Sequence, residues 1–518
     1  MTQVESVRSL LAVLAGAGAR EVCVAAGARN APVITALQAS GGVRLWSFFE
    51  ERCAGFFALG RARATGRPVA VLTTSGTASA ELLPAMIEAA YSGALLIAVT
   101  ADRPPRFRGT GAPQSMEQPG LFGPHAACSI DAHPGEPVPA LTSGQFPAHI
   151  NFCLEEPLEV VREGIDFEAS QWQAAREAKP DQFPADDSRW QLPPEFAAAS
   201  CPAVLVSGLS PSHAHELAGG LAALKMPVFA EAVSNLWPLA GCDPALARRL
   251  RPATEKGLAD FHADAVLRVG SVPTSRWWRD LESSGRTMVC NLSPLPFPGL
   301  GRTEGVHTAP WSERHRLLAS LAEIGCRDEV SPISPGGAAD SELEMVKALV
   351  DVMEEGGGGL LFAGNSLPVR HFNEAARPLR ADLRFEASRG MNGIDGQIST
   401  WLGLCADSGP DAWLVVGDLT ALYDLAAPAV LPQLAPRRRF LVILNNGGGG
   451  IFGRVKSLAA LPAASRALIE NRHQISFRPF AELWGMSHTV LSAPAEAAAL
   501  LGKPSGAHVV ECGLPGSG

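Results

Sequence analysis

Asp418 and Asn446 are the side chains of this sequence best suited to holding a metal ion. The first closes the run Trp413-Leu414-Val415-Val416-Gly417-Asp418; the second closes Phe440-Leu441-Val442-Ile443-Leu444-Asn445-Asn446, and Gly447–Gly450 follow at once. A carboxylate, an amide oxygen and glycine carbonyls are hard oxygen ligands, the set that suits Mg²⁺ when it also carries phosphate oxygens. Successive glycines would let the backbone approach such a phosphate closely. The plain alternative is an acidic turn and a Gly-rich loop in any α/β protein. Glu51 has two readings: a first-turn acid in a helix dipole, or a buried carboxylate hydrogen-bonded to a ring nitrogen of a bound cofactor. Arg29, Arg103, Arg276, Arg370 and Arg389 each lie just past a strand or in a short loop, beside Gly, Pro or Ser. One alone reads as a solvated surface charge; together they suit carboxylate recognition, because guanidinium makes bidentate contacts. Ser75-Gly76-Thr77 is explained by helix capping alone. Gln114 is uninformative by itself. His149, within the strand-like Ala148–Phe152, reads as structural and Ile394 as core.

The elements that must position these groups follow from the pattern. Trp413–Val416 and Phe440–Leu444 are β-rich, and Thr420 to Leu434 is long enough for a helix. Such a βαβ unit makes both strands parallel and brings their ends to one edge of the sheet, where open α/β sheets bind ligands. The first part of the chain alternates strands Glu21–Ala25, Val43–Phe49, Pro68–Thr74 and Ala94–Thr100 with helices, which predicts a parallel sheet covered on both faces. A second α/β segment carries strand-like Ala203–Gly208, Pro227–Glu231, Ala265–Val269 and Thr287–Asn291. A third has a helix over Glu342–Glu355 and strands at Gly359–Ala363 and Leu383–Glu386. Gly356–Gly359 reads as a helix stop and not a phosphate loop, since no Lys-Ser/Thr follows. Aperiodic sequence from Arg162 to Glu195 predicts a linker, and Ser331–Ala339 a second boundary. The expectation is three doubly wound parallel-sheet α/β domains: 1–165, 196–330 and 340–518.

Composition agrees with a multi-domain globular protein. The chain has 518 residues, 47% hydrophobic and 18% charged, against a prior of about 150 residues per domain. A net charge of −9 provides no basic field for nucleic acid or an anionic membrane, so an anionic substrate needs locally gathered arginines. No apolar run reaches transmembrane length. Leu10–Ala19 reads as the apolar part of an amphipathic first helix, with Val4, Val7, Leu11 and Leu14 at helical spacing. The ten cysteines are scattered, without C-x-x-C, as in a reducing, cytoplasmic compartment.

Gly417-Asp418 followed by Asn445-Asn446 resembles the thiamine-diphosphate motif of the decarboxylase and synthase superfamily, and Glu50 to Gly60 is similar to its glutamate segment. Thr74 to Thr77, Thr100 to Pro105, Gly364 to Arg370, Ser388 to Gly396 and Asn445 to Phe452 resemble one family within it, a synthase of menaquinone biosynthesis. The matches span both outer domains and weaken in the middle one. The resemblance implies that Asp418, Asn446 and the Gly448 carbonyl hold Mg²⁺ or Mn²⁺ on thiamine diphosphate. It also puts Ser75, Gly76, Thr77, Gly417, Leu419 and Ile451 on the cofactor, with Ile394 propping it in a bent form. Glu51, from a partner subunit, would be the catalytic residue, exchanging a proton with the aminopyrimidine. Arg29, Arg103, Gln114, Arg276, Ser366, Arg370 and Arg389 would line a pocket for 2-oxoglutarate and isochorismate, which each carry two carboxylates. The implied reaction is decarboxylation of the first and 1,4-addition of the remaining succinyl unit to the second, in a cytoplasmic homodimer or homotetramer with active sites at subunit interfaces. Three positions depart from the family pattern: Ala28, Pro113 and Ser275 stand where serine, asparagine and lysine are usual. Each change removes a polar contact worth about 1 kcal/mol. Two other readings stay open: another thiamine-diphosphate carboligase or 2-oxo acid decarboxylase, acetolactate-synthase-like, and a non-catalytic nucleotide-binding regulator. The several arginines oppose small monocarboxylates, and Glu51 opposes the regulator.

Overall fold

The computed structural model describes residues 2–142, 144–156, 158, 160, 165–173, 190–326 and 340–513. Among them are three six-stranded sheets in which every strand pair is parallel. The first holds β1 (Glu21–Ala25), β2 (Arg44–Phe48), β3 (Val69–Thr73), β4 (Leu96–Asp102), β5 (Cys128–Ala132) and β6 (Ala148–Cys153), in the order 2-1-3-4-6-5. The second holds β7 (Pro202–Val206), β8 (Val228–Ala230), β9 (Leu250–Pro252), β10 (Ala265–Val269), β11 (Met288–Leu292) and β12 (Val306–Ala309), in the order 12-11-10-7-8-9. The third holds β13 (Gly359–Ala363), β14 (Leu383–Glu386), β15 (Ala412–Gly417), β16 (Arg438–Asn445), β17 (Ser487–Leu491) and β18 (Gly506–Gly513), in the order 14-13-15-16-18-17. The first and third sheets thus share one topology, and both reverse direction between their first and third strands. That reversal opens the crevice where a ligand fits against strand ends.

The central strands are mostly apolar because helices cover both faces: β1, β3, β4, β7, β10 and β13 are buried along their whole length. The chain divides into two compact units. One takes the first sheet together with Gly390–Asp407 and Tyr423–Ala435; the other takes the second and third sheets. Within the first unit, the helix Glu51–Thr65 lies against the helix Gln397–Leu404 at glycine contacts. A Cβ on Gly60 would lie 2.1 Å from the Thr400 carbonyl oxygen, and one on Gly403 2.2 Å from that of Phe57.

Every strand read from the sequence is present, with ends shifted by up to two residues. Four further strands have weaker patterns that do not stand out in the sequence: β9 and β12 in the second sheet, β17 and β18 in the third. The same holds for β5 in the first sheet. Its residues are only half-buried, so no continuous apolar run announces it. The single helix expected over Thr420–Leu434 is instead the helix Asp418–Tyr423 followed by a 3₁₀ stretch, Ala427–Gln433. Pro428 and Pro432 lack the amide hydrogens an α-helix would need there. Leu83–Ser92 is likewise separate from the short helix Thr77–Ala80. The glycine stop holds: the Gly358 amide donates to the Met353 carbonyl at 2.8 Å, with Gly357 and Gly358 at φ 92° and 88°. The boundary at 331–339 lies outside the described residues, as do 162–164 and 174–189 of the other linker. No helix among the described residues is long and apolar enough to cross a membrane.

Candidate active site

The ends of β15 and β16 meet as the βαβ pattern requires, since the two strands pair in parallel from Ala412↔Arg439 to Gly417↔Leu444. Asp418 Oδ2 accepts the Gly448 amide at 2.9 Å, and Oδ1 accepts that of Leu419 at 2.6 Å. The residue is buried, 2% exposed, and His473 Nε2 stands 3.4 Å from Oδ2. Burial raises the Asp418 pKa, while the amides of Gly448 and Leu419 and the nearby His473 oppose the rise. Asn446 Nδ2 donates to Glu342 Oε1 at 2.8 Å. Its Oδ1 is buried and has no hydrogen-bond partner among the described residues. The Gly448 carbonyl accepts the Gly450 amide at 2.9 Å, which leaves it a second lone pair. Gly448 sits at φ 137°, where a Cβ would lie 2.5 Å from the Glu470 carbonyl oxygen, so only glycine closes this loop. A desolvated carboxylate, an unpartnered amide oxygen and a carbonyl lone pair on one strand edge fit a hard divalent cation. Gly417 ends β15, Leu419 follows Asp418 in the helix, and Ile451 lies in the 3₁₀ turn Gly450–Arg454.

Glu342 and His371 escaped the sequence reading. Glu342 lies in the first turn of the helix Ser341–Glu355, 104 positions from Asn446. Its Oε2 faces the fully buried His371 Nε2 at 3.0 Å. Burial works to raise the Glu342 pKa, but the hydrogen bonds from His371 and Asn446 hold it below the ordinary value.

Of the arginines, the same unit holds Arg276, Arg370 and Arg389. Arg370 is held by backbone carbonyls, Nη1 to Ser366 at 2.5 Å and Nη2 to Thr274 at 3.3 Å, and no carboxylate pairs with it among the described residues. Burial lowers its pKa, so an incoming anion would meet a desolvated cation. Ser366 adopts φ 74°, which a residue with a Cβ adopts at a cost of about 1–2 kcal/mol. Arg389 Nη1 donates to Asn365 Oδ1 at 3.0 Å, which puts it beside the same turn after β13. Arg276 begins the helix Arg276–Ser284, two residues after Thr274, but its side chain is 60% exposed and pairs with Asp280 at 3.5 Å. Ser275 caps that helix through the Trp278 amide. Glu231, unnoticed in the sequence, is fully buried and accepts the Thr274 amide at 2.5 Å.

The other unit carries Glu51, Ser75, Gly76, Thr77 and Gln114. Glu51 opens its helix behind the N-cap Glu50, whose carboxylate accepts the Cys53 amide at 2.7 Å. It lines a cleft of about 490 Å³ together with Thr74, Ser75, Thr77, Glu81 and Gln114. Ser75-Gly76-Thr77 does not cap by a side chain. Instead the Gly76 amide donates to Gln118 Oε1 at 2.8 Å, and Gln118 Nε2 donates to Asn151 Oδ1 at 2.9 Å. Gln114 is exposed at φ 53°. Arg29 and Arg103 converge on Glu156, at 2.5 and 3.3 Å, and Arg103 Nε donates to the Pro113 carbonyl at 3.1 Å. Thus the backbone of Pro113 supplies a partner although its side chain has none to offer. Ile394 is half-buried two residues before Gly396, where a Cβ would strike the Phe56 ring.

A sequence profile described as "Thiamine pyrophosphate enzyme, N-terminal TPP binding domain" matches residues 5–121. The chain is 36% identical over 512 residues to 2-succinyl-5-enolpyruvyl-6-hydroxy-3-cyclohexene-1-carboxylate synthase of Bdellovibrio bacteriovorus, covering 94% of this chain and 92% of that protein. It is equally 36% identical over 499 residues to the synthase of the same name from Akkermansia muciniphila, covering 94% and 91%. The similarity covers more than nine-tenths of each chain and is not confined to one motif, and this chain belongs to the 2-succinyl-5-enolpyruvyl-6-hydroxy-3-cyclohexene-1-carboxylate synthase family of thiamine-diphosphate enzymes.

Proposed function

We propose that this protein is a 2-succinyl-5-enolpyruvyl-6-hydroxy-3-cyclohexene-1-carboxylate (SEPHCHC) synthase of menaquinone biosynthesis, releasing CO₂ from 2-oxoglutarate and adding the succinyl unit to isochorismate. The observation that carries the reading is the buried, unpartnered Oδ1 of Asn446 on the same strand edge as the buried Asp418. An amide oxygen left bare in a dry site is costly unless a ligand arrives, and a cation is the ligand that an adjacent carboxylate favours. Asp418, Asn446 and the Gly448 carbonyl would hold Mg²⁺ or Mn²⁺ on the diphosphate of thiamine diphosphate, with Gly417, Leu419 and Ile451 beside it. Ser75, Gly76 and Thr77 would seat the aminopyrimidine end, and Ile394 would support the bend. When bound, the cofactor supplies the carbon nucleophile and electron sink for decarboxylation and addition.

The chain's own groups bind, orient and move protons. Glu51 would hold a proton against the aminopyrimidine ring nitrogen, and a copy of the chain would receive it from the partner subunit of a homodimer or homotetramer. Arg370, Arg389, Arg276, Arg29 and Arg103, with Ser366 and Gln114, would bind the substrates' carboxylates. Arg370 supports this most directly, since a guanidinium held by carbonyls keeps its charge for an incoming carboxylate. We further infer three domains over 1–165, 196–330 and 340–518, and a cytoplasmic location. The test is an assay of the purified chain with 2-oxoglutarate, Mg²⁺ and thiamine diphosphate, with and without isochorismate. CO₂ release that requires isochorismate supports the synthase; equal release without it indicates a plain decarboxylase, and silence with every 2-oxo acid favours the regulator.

A further inference from the structure

Asn446 presents a problem of orientation. A primary amide has an oxygen at one end and two N–H donors at the other, separated only by rotation about one bond. A cation site works with the oxygen inward and is repelled by the N–H end. Nothing in the residue itself selects one orientation, so a neighbour must.

That neighbour is Glu342. Its Oε1 lies 2.8 Å from Asn446 Nδ2, and a carboxylate oxygen accepts but does not donate. The contact is therefore possible only with the NH₂ end toward Glu342, which leaves Oδ1 bare and buried on the opposite side. Glu342 is itself restrained. Its second oxygen faces His371 Nε2 at 3.0 Å, a contact in which the ring nitrogen must be the donor, from a histidine that is 0% exposed. His371 lies in the helix Leu367–Glu374 that follows β13, whereas Glu342 lies in the first turn of the helix Ser341–Glu355. One helix thus carries the carboxylate, the other holds its second oxygen through His371, and the carboxylate fixes the amide.

We propose that Glu342, braced by His371, is a positioning residue that locks the Asn446 side chain with its oxygen toward the metal. The inference rests on the metal–diphosphate reading above and adds to it a residue that never touches the ion. Outer partners of this kind typically contribute about 10–100-fold to metal affinity.

A double-mutant cycle on the full chain separates orientation from mere structural support. Mg²⁺ is titrated calorimetrically in the presence of thiamine diphosphate, and turnover is not needed. Glu342→Ala should weaken apparent Mg²⁺ affinity by about tenfold or more. Asn446→Asp replaces the amide with a carboxylate, whose two ends are both oxygens, so orientation no longer matters. In that background Glu342→Ala should cost nothing or restore affinity, because it also removes a like charge. The isosteric Glu342→Gln keeps the packing if the alanine variant folds poorly. It offers one oxygen to two donors when Asn446 is intact and so weakens binding. Combined with Asn446→Asp, its amide can donate to the new carboxylate, and affinity is spared. Equal losses in both backgrounds, or no loss when Asn446 is intact, would overturn the proposal. Wild-type protein that binds neither Mg²⁺ nor thiamine diphosphate would instead overturn the reading beneath it.

Discussion

Glu51 and Arg370 are the two side chains on which the proposed reaction most depends: Glu51 would move a proton, and Arg370 would offer its charge to a carboxylate. Glu51→Gln retains shape and a hydrogen-bonding end but cannot exchange a proton at neutral pH. Turnover should fall to background while thiamine diphosphate binds with nearly unchanged affinity, as a parallel calorimetric titration would reveal; full activity would remove Glu51 from the proton path. Arg370 differs from Arg29 and Arg103, which already share Glu156. Because its hydrogen bonds go to the carbonyls of Ser366 and Thr274, Arg370→Ala should raise the KM for a dicarboxylate substrate. Losing one charge-assisted pair of about 1.5–3 kcal/mol corresponds to a rise of about tenfold or more. Steady-state kinetics with each substrate varied in turn would show which one it holds, and an unchanged KM for both would exclude it from the pocket.

At the scale of elements, the helices Glu51–Thr65 and Gln397–Leu404 approach one another where Gly60 and Gly403 lack side chains. Their backbones are so close that a methyl group at either glycine overlaps a carbonyl oxygen. Gly403→Ala should therefore force the helices apart and lower stability by about 1–3 kcal/mol, read as an earlier thermal or urea transition. An unshifted transition would mean that the contact yields more easily than its geometry indicates. Since Glu51 begins one of these helices, the same variant should also impair catalysis more than cofactor binding at the β15–β16 edge. The contact was not legible in the sequence. Glycines within a helix read as weak points until a partner backbone occupies the space they leave.

For the molecule as a whole, His149 ties stability to pH. It sits in β6, fully buried, with Nε2 2.8 Å from Thr100 Oγ1 and the ring 4.6 Å from that of Phe122. Burial holds its pKa down at about 4 from an ordinary 6.5, against a smaller opposing pull from Asp131. Between those values the unfolded chain binds a proton that the folded chain refuses, so stability is complete above pH 6.5 and lost as pH falls toward 4. The difference amounts to about 3 kcal/mol. Urea unfolding across that range should show the loss in the wild type and a flatter curve in His149→Gln; identical slopes would assign the acid sensitivity to other groups.

Apolar runs of β length, helical spacing and short ligand-bearing turns were enough to predict parallel α/β layers and to bring Asp418 to the strand edge beside Asn446, because strand direction and side-chain alternation follow from local covalent geometry. The arginines were legible as candidates for the same reason, each lying next to a strand end or turn. What no local pattern contains is which distant group completes each site. Glu342 behind Asn446, Glu156 between Arg29 and Arg103, and Gln118 beneath Gly76 are long-range contacts, and their partners are chosen by how whole layers stack. Half-buried strands such as β5 and β17 were hidden on the same account, since they are apolar only where a neighbour covers them. Residue types determine which atoms can bind or ionise; the packing of the finished fold decides which of those atoms are dry, paired or left bare.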